Sequence, residues 1–103
     1  MAQPSWLVVE RGHAPLILSM PHVGTGLAEF APRFPSLWLA RKDADWHIER
    51  LYEFASELGA TTIRSTISRS VIDVNRDPSG ASLYPSQATT DLCPTTTFDG
   101  EPL

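Results

Sequence analysis

Two side chains that could bind an anion stand at the end of an apolar segment. Asn75 and Arg76 follow the run 71–74, in which β-branched residues dominate, and they precede Pro78. Such a run predicts a buried strand, and groups at the carboxyl end of a strand project into the crevice where open α/β sheets bind ligands. A guanidinium donates two parallel hydrogen bonds to a carboxylate. The segment therefore predicts a site for a small anionic substrate.

A second arginine, Arg69, stands before the same run. The alternative to an anion site is a structural ion-pair network, in which Arg69 and Arg76 pair with Asp73 or Asp77. Both interpretations stay open at this point. The sequence has no phosphate loop, zinc-knuckle spacing or Gly-x-Ser-x-Gly elbow, so nothing in it favours serine-hydrolase chemistry.

Histidine and carboxylate side chains supply the other candidate chemistry. His22 follows a continuously apolar run and precedes a glycine-containing loop, which suits a metal ligand or a general base at the sheet edge. Asp45 and His47 lie on opposite flanks of a predicted helix, each roughly 70–90° from the centre of its apolar face. Both could lean toward His22. The alternatives are a structural histidine, a first-turn charge on the helix dipole and a boundary residue.

The predicted elements place these groups in an α/β arrangement. We expect strands at 6–10, 16–20 and 60–65, and a fourth strand, or a continuation of the third, at 70–75. A helix is expected at 44–58, with Asp43 or Asp45 at its N-terminal turn and Gly59 at its C-terminal end. Ser36 is expected to cap a short helical turn.

The chain changes character after Arg76. Residues 77–103 hold four of the 9 prolines and no lysine or arginine, which is typical of a long loop. We therefore expect an N-terminal α/β part at 1–78 and a loop at 79–103 that leads to a missing C-terminal part.

Composition limits the class of protein. The 103 residues allow one domain, and a net charge of −4 excludes a nucleic-acid or anionic-membrane surface. Cys93, the single cysteine, excludes an internal disulfide and fits a reducing compartment. With no membrane-length apolar run and no signal peptide, the sequence predicts a cytoplasmic protein.

Three motifs in order resemble the N-formylglutamate amidohydrolase (N-formylglutamate deformylase) family: LSMPHVG at 18–24, DADWHIERLY at 43–52 and SRSVIDVNRDP at 68–78. The resemblance spans essentially residues 5–103. It implies a phosphorylase/hydrolase-like α/β fold with a mixed sheet and flanking helices. It also implies hydrolysis of N-formyl-L-glutamate to formate and L-glutamate, a step of histidine catabolism.

The resemblance further implies a divalent metal, Zn²⁺ in first place. His22 resembles the first metal ligand, but Thr25 stands where carboxypeptidase relatives have a ligating glutamate. Asp45 is our first candidate for the second metal ligand, and His47 and Asp43 are weaker candidates.

The same resemblance assigns roles to the donors around the 71–74 run. Asn75 and Arg76 resemble the pair that holds the substrate carboxylate, and Arg69 resembles the arginine that polarises the scissile carbonyl. The later part of family members should supply another histidine and a glutamate base. We therefore expect a fragment with an incomplete site, a weakly held metal and little activity by itself.

Two other functions stay open. One is a non-catalytic remnant or interaction module that keeps an anion-binding edge, and the other is a deacylase for another N-acyl amino acid. The expected partner is a small anionic N-acyl amino acid, with no nucleic acid and no membrane. Exposed sheet edges also predict self-association.

Overall fold

The computed structural model describes residues 3–81 and 91–103. Within them the strands form one three-stranded sheet in the order β1-β3-β2, with β1 at Leu7–Glu10, β2 at Ile17–Met20 and β3 at Thr61–Ser65. Strand β1 runs antiparallel to β3 and β2 runs parallel to it. The three strand predictions are confirmed to within one residue at each end.

The fourth predicted strand, at 70–75, is wrong. This segment is a series of turns, because polar side chains satisfy its backbone donors locally. The Ser70 amide donates to Ser68 Oγ at 3.1 Å, and the Asn75 amide donates to Asp73 Oδ1 at 2.9 Å. Short polar side chains compete in this way with a sheet ladder. The β-branched run predicted burial in a sheet, but Ile72 and Val74 are exposed.

The long helix predicted at 44–58 is also wrong in extent. Helix α1 covers Leu37–Lys42, helix α2 covers only Ile48–Leu51, and a 3₁₀ segment follows at Glu53–Ser56. The Asp45 amide donates to the His22 carbonyl at 2.8 Å, and His47 adopts a left-handed φ of 64° as the N-cap of α2. Both features prevent a continuous helix from starting at residue 44.

Two other local predictions are confirmed, and the placement of Asp43 at a helix N-terminus is wrong. Ser36 is the N-cap of α1 and its hydroxyl accepts the Leu39 amide at 3.2 Å, although the helix runs past the predicted turn. Gly59 adopts φ 74°, as expected for the residue that ends a helical segment. Asp43 caps no N-terminus and is instead the C-cap of α1. A further 3₁₀ segment, Ala28–Arg33, precedes α1.

The segments that follow β2 and β3 stay side by side beyond the sheet. The Gly26 amide donates to the Thr66 carbonyl at 2.9 Å, and the Ser68 amide donates to the Gly26 carbonyl at 2.7 Å. Gly24 permits this approach, because a Cβ there would stand 2.4 Å from the Thr66 carbonyl carbon. The pairing places the loop that carries His22 against the loop that carries Arg69.

The buried apolar residues are mostly small. The described residues in the core are Met20, Val23, Leu27, Ala40, Ala44, Ala55 and Ala60. In residues 3–81 and 91–103 we find no helix with the length and apolar character that a membrane crossing requires.

Candidate functional site

His22 is the centre of a polar cluster at the carboxyl end of β2. Its side chain is 11% exposed, and Nε2 lies 2.7 Å from Asp73 Oδ1. On the other side of the ring, Nδ1 lies 3.1 Å from Arg69 Nη1 and 4.0 Å from Asp45 Oδ2. The structure therefore brings together three of the residues expected at the site from their sequence positions.

Asp73 joins this cluster from the chain that follows β3. Its side chain is 1% exposed, and Oδ2 accepts a hydrogen bond from Arg69 Nη2 at 3.1 Å. The Asn75 amide donates to Oδ1 at 2.9 Å, and Arg76 Nη2 lies 4.0 Å from Oδ2. The carboxylate therefore has an electrostatic partner on each side.

The ionised form of Asp73 is favoured by these partners. Burial raises the pKa of its carboxyl, but the hydrogen bonds from His22 and the Asn75 amide and the charge of Arg69 outweigh burial. The net result is a pKa below the ordinary value of 3.8. A carboxylate of this kind accepts the Nε2–H of His22.

The contact with Asp73 decides which ring nitrogen of His22 carries the proton and which carries the lone pair. An ionised carboxylate only accepts hydrogen bonds, so the proton of a neutral imidazole belongs on Nε2. Nδ1 then carries the lone pair, which faces Asp45 and accepts from Arg69. A histidine whose distal N–H is held by a carboxylate is the usual orientation of a metal-ligating imidazole.

The donor set fits part of a metal site. His22 Nδ1 and Asp45 Oδ2 are both ligand types that Zn²⁺ accepts, and they face each other across 4.0 Å. Residues 3–81 and 91–103 include no group of three or more His, Cys, Asp or Glu side chains arranged to hold an ion. Arg69 Nη1 also stands 3.1 Å from the same nitrogen. The described residues therefore offer two ligands.

The two weaker candidates for a metal ligand lie elsewhere. His47 is exposed and its ring lies against Trp46, with the centroids 6.0 Å apart. Asp43 Oδ2 accepts the Phe98 amide at 2.8 Å. In the part of the chain that the structure describes, neither residue makes a hydrogen bond or ion pair with His22.

Asn75 and Arg76 are close to the cluster, but Asn75 is exposed and contributes backbone groups, while Arg76 contacts Asn75 and Asp73. Arg76 Nη1 donates to the Asn75 carbonyl at 2.9 Å, and the Arg76 amide donates to the Asp73 carbonyl at 3.2 Å. Arg69 and Arg76 both lie at Asp73, which is the ion-pair network that the sequence left open as the alternative. Their binding of a substrate carboxylate stays a prediction.

Two residues were missed as parts of the site. Asp73 entered the sequence analysis only as an ion-pair partner, although Arg69 and Arg76 flank it at i−4 and i+3 and gave the signal. Phe98 gave no signal, yet its ring lies 4.7 Å from the Arg69 guanidinium carbon.

The comparisons with known proteins identify the family of the chain. A sequence profile described as N-formylglutamate amidohydrolase matches residues 14–103. The chain belongs to that family. The matched region includes His22, Asp45, Arg69 and Asp73.

Individual relatives cover the same region. The chain is 49% identical to a Pseudomonas aeruginosa N-formylglutamate deformylase over 105 aligned positions, and 46% identical to the Pseudomonas putida protein of the same name over 99. Each alignment covers 94% of this chain and 36% of the relative, so the chain spans about a third of their length.

A solved structure shares the fold. The N-formylglutamate amidohydrolase from Ralstonia eutropha JMP134 aligns with a TM-score of 0.62 and 25% identity. The alignment covers 97% of this chain and 37% of that one. A small mixed α/β unit with a three-stranded sheet is therefore common to both proteins.

Proposed function

We propose that this chain carries the His22–Arg69–Asp73 portion of an N-formylglutamate deformylase site. The reaction is hydrolysis of N-formyl-L-glutamate to formate and L-glutamate, a step of histidine degradation. The observation that carries the proposal is the orientation of His22, whose Nε2 is held by Asp73 so that Nδ1 faces Asp45 and Arg69. The proposal extends to a phosphorylase/hydrolase-like sheet and to the division between residues 1–78 and the loop at 79–103. Residues 82–90 of that loop lie outside the described residues.

Arg69 is the group that would act on the formyl oxygen. Its guanidinium is fixed by hydrogen bonds to His22 and Asp73, so its direction is set before a substrate arrives. A preorganised cation stabilises negative charge that develops on a carbonyl oxygen without a cost of reorientation. In the same proposal, Arg76 and Asn75 hold the substrate carboxylate and bring the formyl group to Arg69.

His22 and Asp45 would hold a divalent metal, and Nδ1 of His22 would then exchange its hydrogen bond from Arg69 for the metal, because that nitrogen has one lone pair. When bound, Zn²⁺ lowers the pKa of a water molecule to about 7 and polarises a carbonyl. Asp73 would keep the His22 ring in the ligating orientation. Two protein ligands give a weak metal site. The glutamate base expected in the later part of family members has no match in this chain, and loss of such a residue lowers the rate by roughly 10²–10⁴. We therefore expect slow turnover from the 103-residue chain.

A second function is favoured by the pairing of the arginines. Arg69 and Arg76 both lie beside a buried carboxylate, which is how a structural network would also arrange them. A non-catalytic module would keep this network and bind neither zinc nor N-formyl-L-glutamate. A deacylase for another N-acyl amino acid would bind a different substrate in the same position.

The experiment measures zinc and substrate binding by the 103-residue chain. We expect zinc to bind weakly, His22→Ala to reduce its affinity at least tenfold, and His13→Ala, in the exposed turn before β2, to leave it unchanged. N-formyl-L-glutamate should perturb the Arg69 and Arg76 NMR signals. Equal zinc affinity in both alanine variants would contradict the metal assignment.

The assay for the reaction measures release of formate from N-formyl-L-glutamate and of acetate from N-acetyl-L-aspartate, with and without added zinc. N-formyl-L-glutamate should be the preferred substrate, and N-acetyl-L-aspartate should give no product. The absence of any binding or turnover with N-formyl-L-glutamate would favour the non-catalytic module. A preference for N-acetyl-L-aspartate would instead point to the related deacylase.

A further inference from the structure

The last residues of the chain form a hairpin, residues 95–103, that bends back onto the site. The Thr97 amide donates to the Glu101 carbonyl at 2.9 Å, and the Gly100 amide donates to the Thr97 carbonyl at 3.0 Å. Gly100 adopts φ 83°, a conformation that glycine takes without strain. This tail hairpin carries Phe98 at its tip.

The C-terminal end of α1 holds the tail hairpin in place. Lys42 Nζ donates to Asp99 Oδ2 at 2.7 Å and to Glu101 Oε1, and Asp43 Oδ2 accepts the Phe98 amide at 2.8 Å. The hydrogen bonds to Asp99 and then Glu101 raise the pKa of Lys42 above its ordinary value. One cation and one anion of α1 thus contact the hairpin at adjacent positions.

Phe98 is placed by this attachment rather than by burial. The side chain is 58% exposed, so burial gives little reason for one fixed orientation. Its ring nevertheless lies 4.7 Å from the Arg69 guanidinium carbon, within the range of a cation–π contact. His22 and Asp73 fix the nitrogens Nη1 and Nη2 of Arg69, and Phe98 faces the guanidinium from a third direction.

We propose that Phe98 is a positioning residue for Arg69, and that Lys42 and Asp43 set its position through the tail hairpin. The aromatic ring keeps the plane of the guanidinium in one orientation and shields one of its faces from water. A substrate oxygen then approaches Arg69 from the side that Phe98 leaves open. The importance of this for catalysis rests on the role proposed for Arg69, whereas the contact itself does not.

The test compares an aromatic with an aliphatic side chain at position 98. The readout is the Nε–Hε NMR signal of Arg69, assigned by its loss in Arg69→Lys. Phe98→Leu should remove the ring-current shift of this signal and move it downfield, while Phe98→Tyr should keep it. Lys42→Met should move the signal in the same direction as Phe98→Leu. Arg11→Met, which removes one cation from an exposed turn, should leave it in place.

Substrate binding gives the second readout. The dissociation constant of N-formyl-L-glutamate should rise about 3- to 10-fold in Phe98→Leu and change less than about twofold in Phe98→Tyr. An Arg69 signal that is the same in wild type, Phe98→Leu and Lys42→Met would overturn the proposal. If wild type binds no N-formyl-L-glutamate but the signal moves as expected, the proposed function fails and the positioning role stands.

Discussion

His22 and Asp73, at the centre of the polar cluster, are buried, whereas several large apolar side chains of β2 and of the α2 region are exposed to solvent. Asp73 is 1% exposed and has a polar partner on each side, whereas Ile17 on β2 is 73% exposed. Leu51 and Leu58, which lie in the segment predicted as one long helix, are also exposed. The buried polar residues His22, Ser68 and Asp73 are thus held by hydrogen bonds to other parts of the chain. Among the described residues, four of the seven buried apolar side chains are alanines.

The difference has a consequence for stability. A buried carboxylate with three kinds of partner cannot be removed without leaving charges and donors unpaired, and that cost is large. An exposed apolar side chain contributes little to the free energy of unfolding, because most of its surface stays in water. We therefore expect mutations in the cluster to affect folding more than mutations on the apolar surface.

The largest effect is expected from Asp73→Ala. This change leaves His22 and Arg69 without their shared acceptor, and breaking a buried pair costs on the order of 3–5 kcal/mol. Urea unfolding of wild type and variant measures the loss. Asp91→Ala, which removes the same charge from an exposed position, should change the free energy of unfolding by less than about 0.5 kcal/mol. Equal losses in both variants would contradict the importance of the cluster.

A smaller loss is expected from Ser68→Ala. Ser68 is fully buried, and its hydroxyl donates to the Ala40 carbonyl at 2.8 Å and accepts the Ser70 amide at 3.1 Å. Loss of both bonds should cost roughly 1–3 kcal/mol. Ser56→Ala is the matched control, because its exposed hydroxyl only donates to the Glu53 carbonyl. A stability change in Ser56→Ala as large as in Ser68→Ala would show that burial is not the cause.

Acid should weaken the cluster to a lesser extent. The pKa of Asp73 is lower in the folded chain than its ordinary value of 3.8, so its stabilising contribution is complete well above that pH. The contribution is lost as the pH falls through 3.8 toward the lower folded pKa. Unfolding curves between pH 6 and 2 should show this slope, and Asp73→Asn should reduce it. An unchanged slope in Asp73→Asn would assign the acid sensitivity to other carboxyls.

The smallest effect on folding is expected on the apolar side of the comparison. Ile17→Lys at the exposed edge strand β2 should change the free energy of unfolding by less than about 0.5 kcal/mol. It should also reduce the self-association that we expect through that edge, because a lysine opposes strand pairing. Sedimentation velocity at several concentrations measures this. Identical association of wild type and variant would exclude the β2 edge as the contact.

Strands were predictable from the sequence, and helices were predictable only in part. Three runs specify strands because the residue pattern and the residue composition both favour a strand over each run. They are the apolar runs before Glu10 and Met20 and the run 60–65. The helix at 44–58 failed at its start because the Asp45 amide donates to the His22 carbonyl and His47 adopts a left-handed φ of 64°. The strand at 70–75 failed because Ser68 and Asp73 satisfy the local amides.

The sequence by itself determined the family, through three motifs, and the identity of the candidate residues His22, Asp45 and Arg69. The tertiary structure alone decided what holds them. Asp73 orients His22 across 51 positions of the chain, and Phe98 reaches Arg69 from the tail hairpin. Contacts between residues so distant in sequence depend on how the loops after β2 and β3 pair, and no local pattern encodes that pairing. The segment at 68–78, which the sequence predicts to bind an anion, is therefore better understood through its carboxylate, Asp73, than through its arginines.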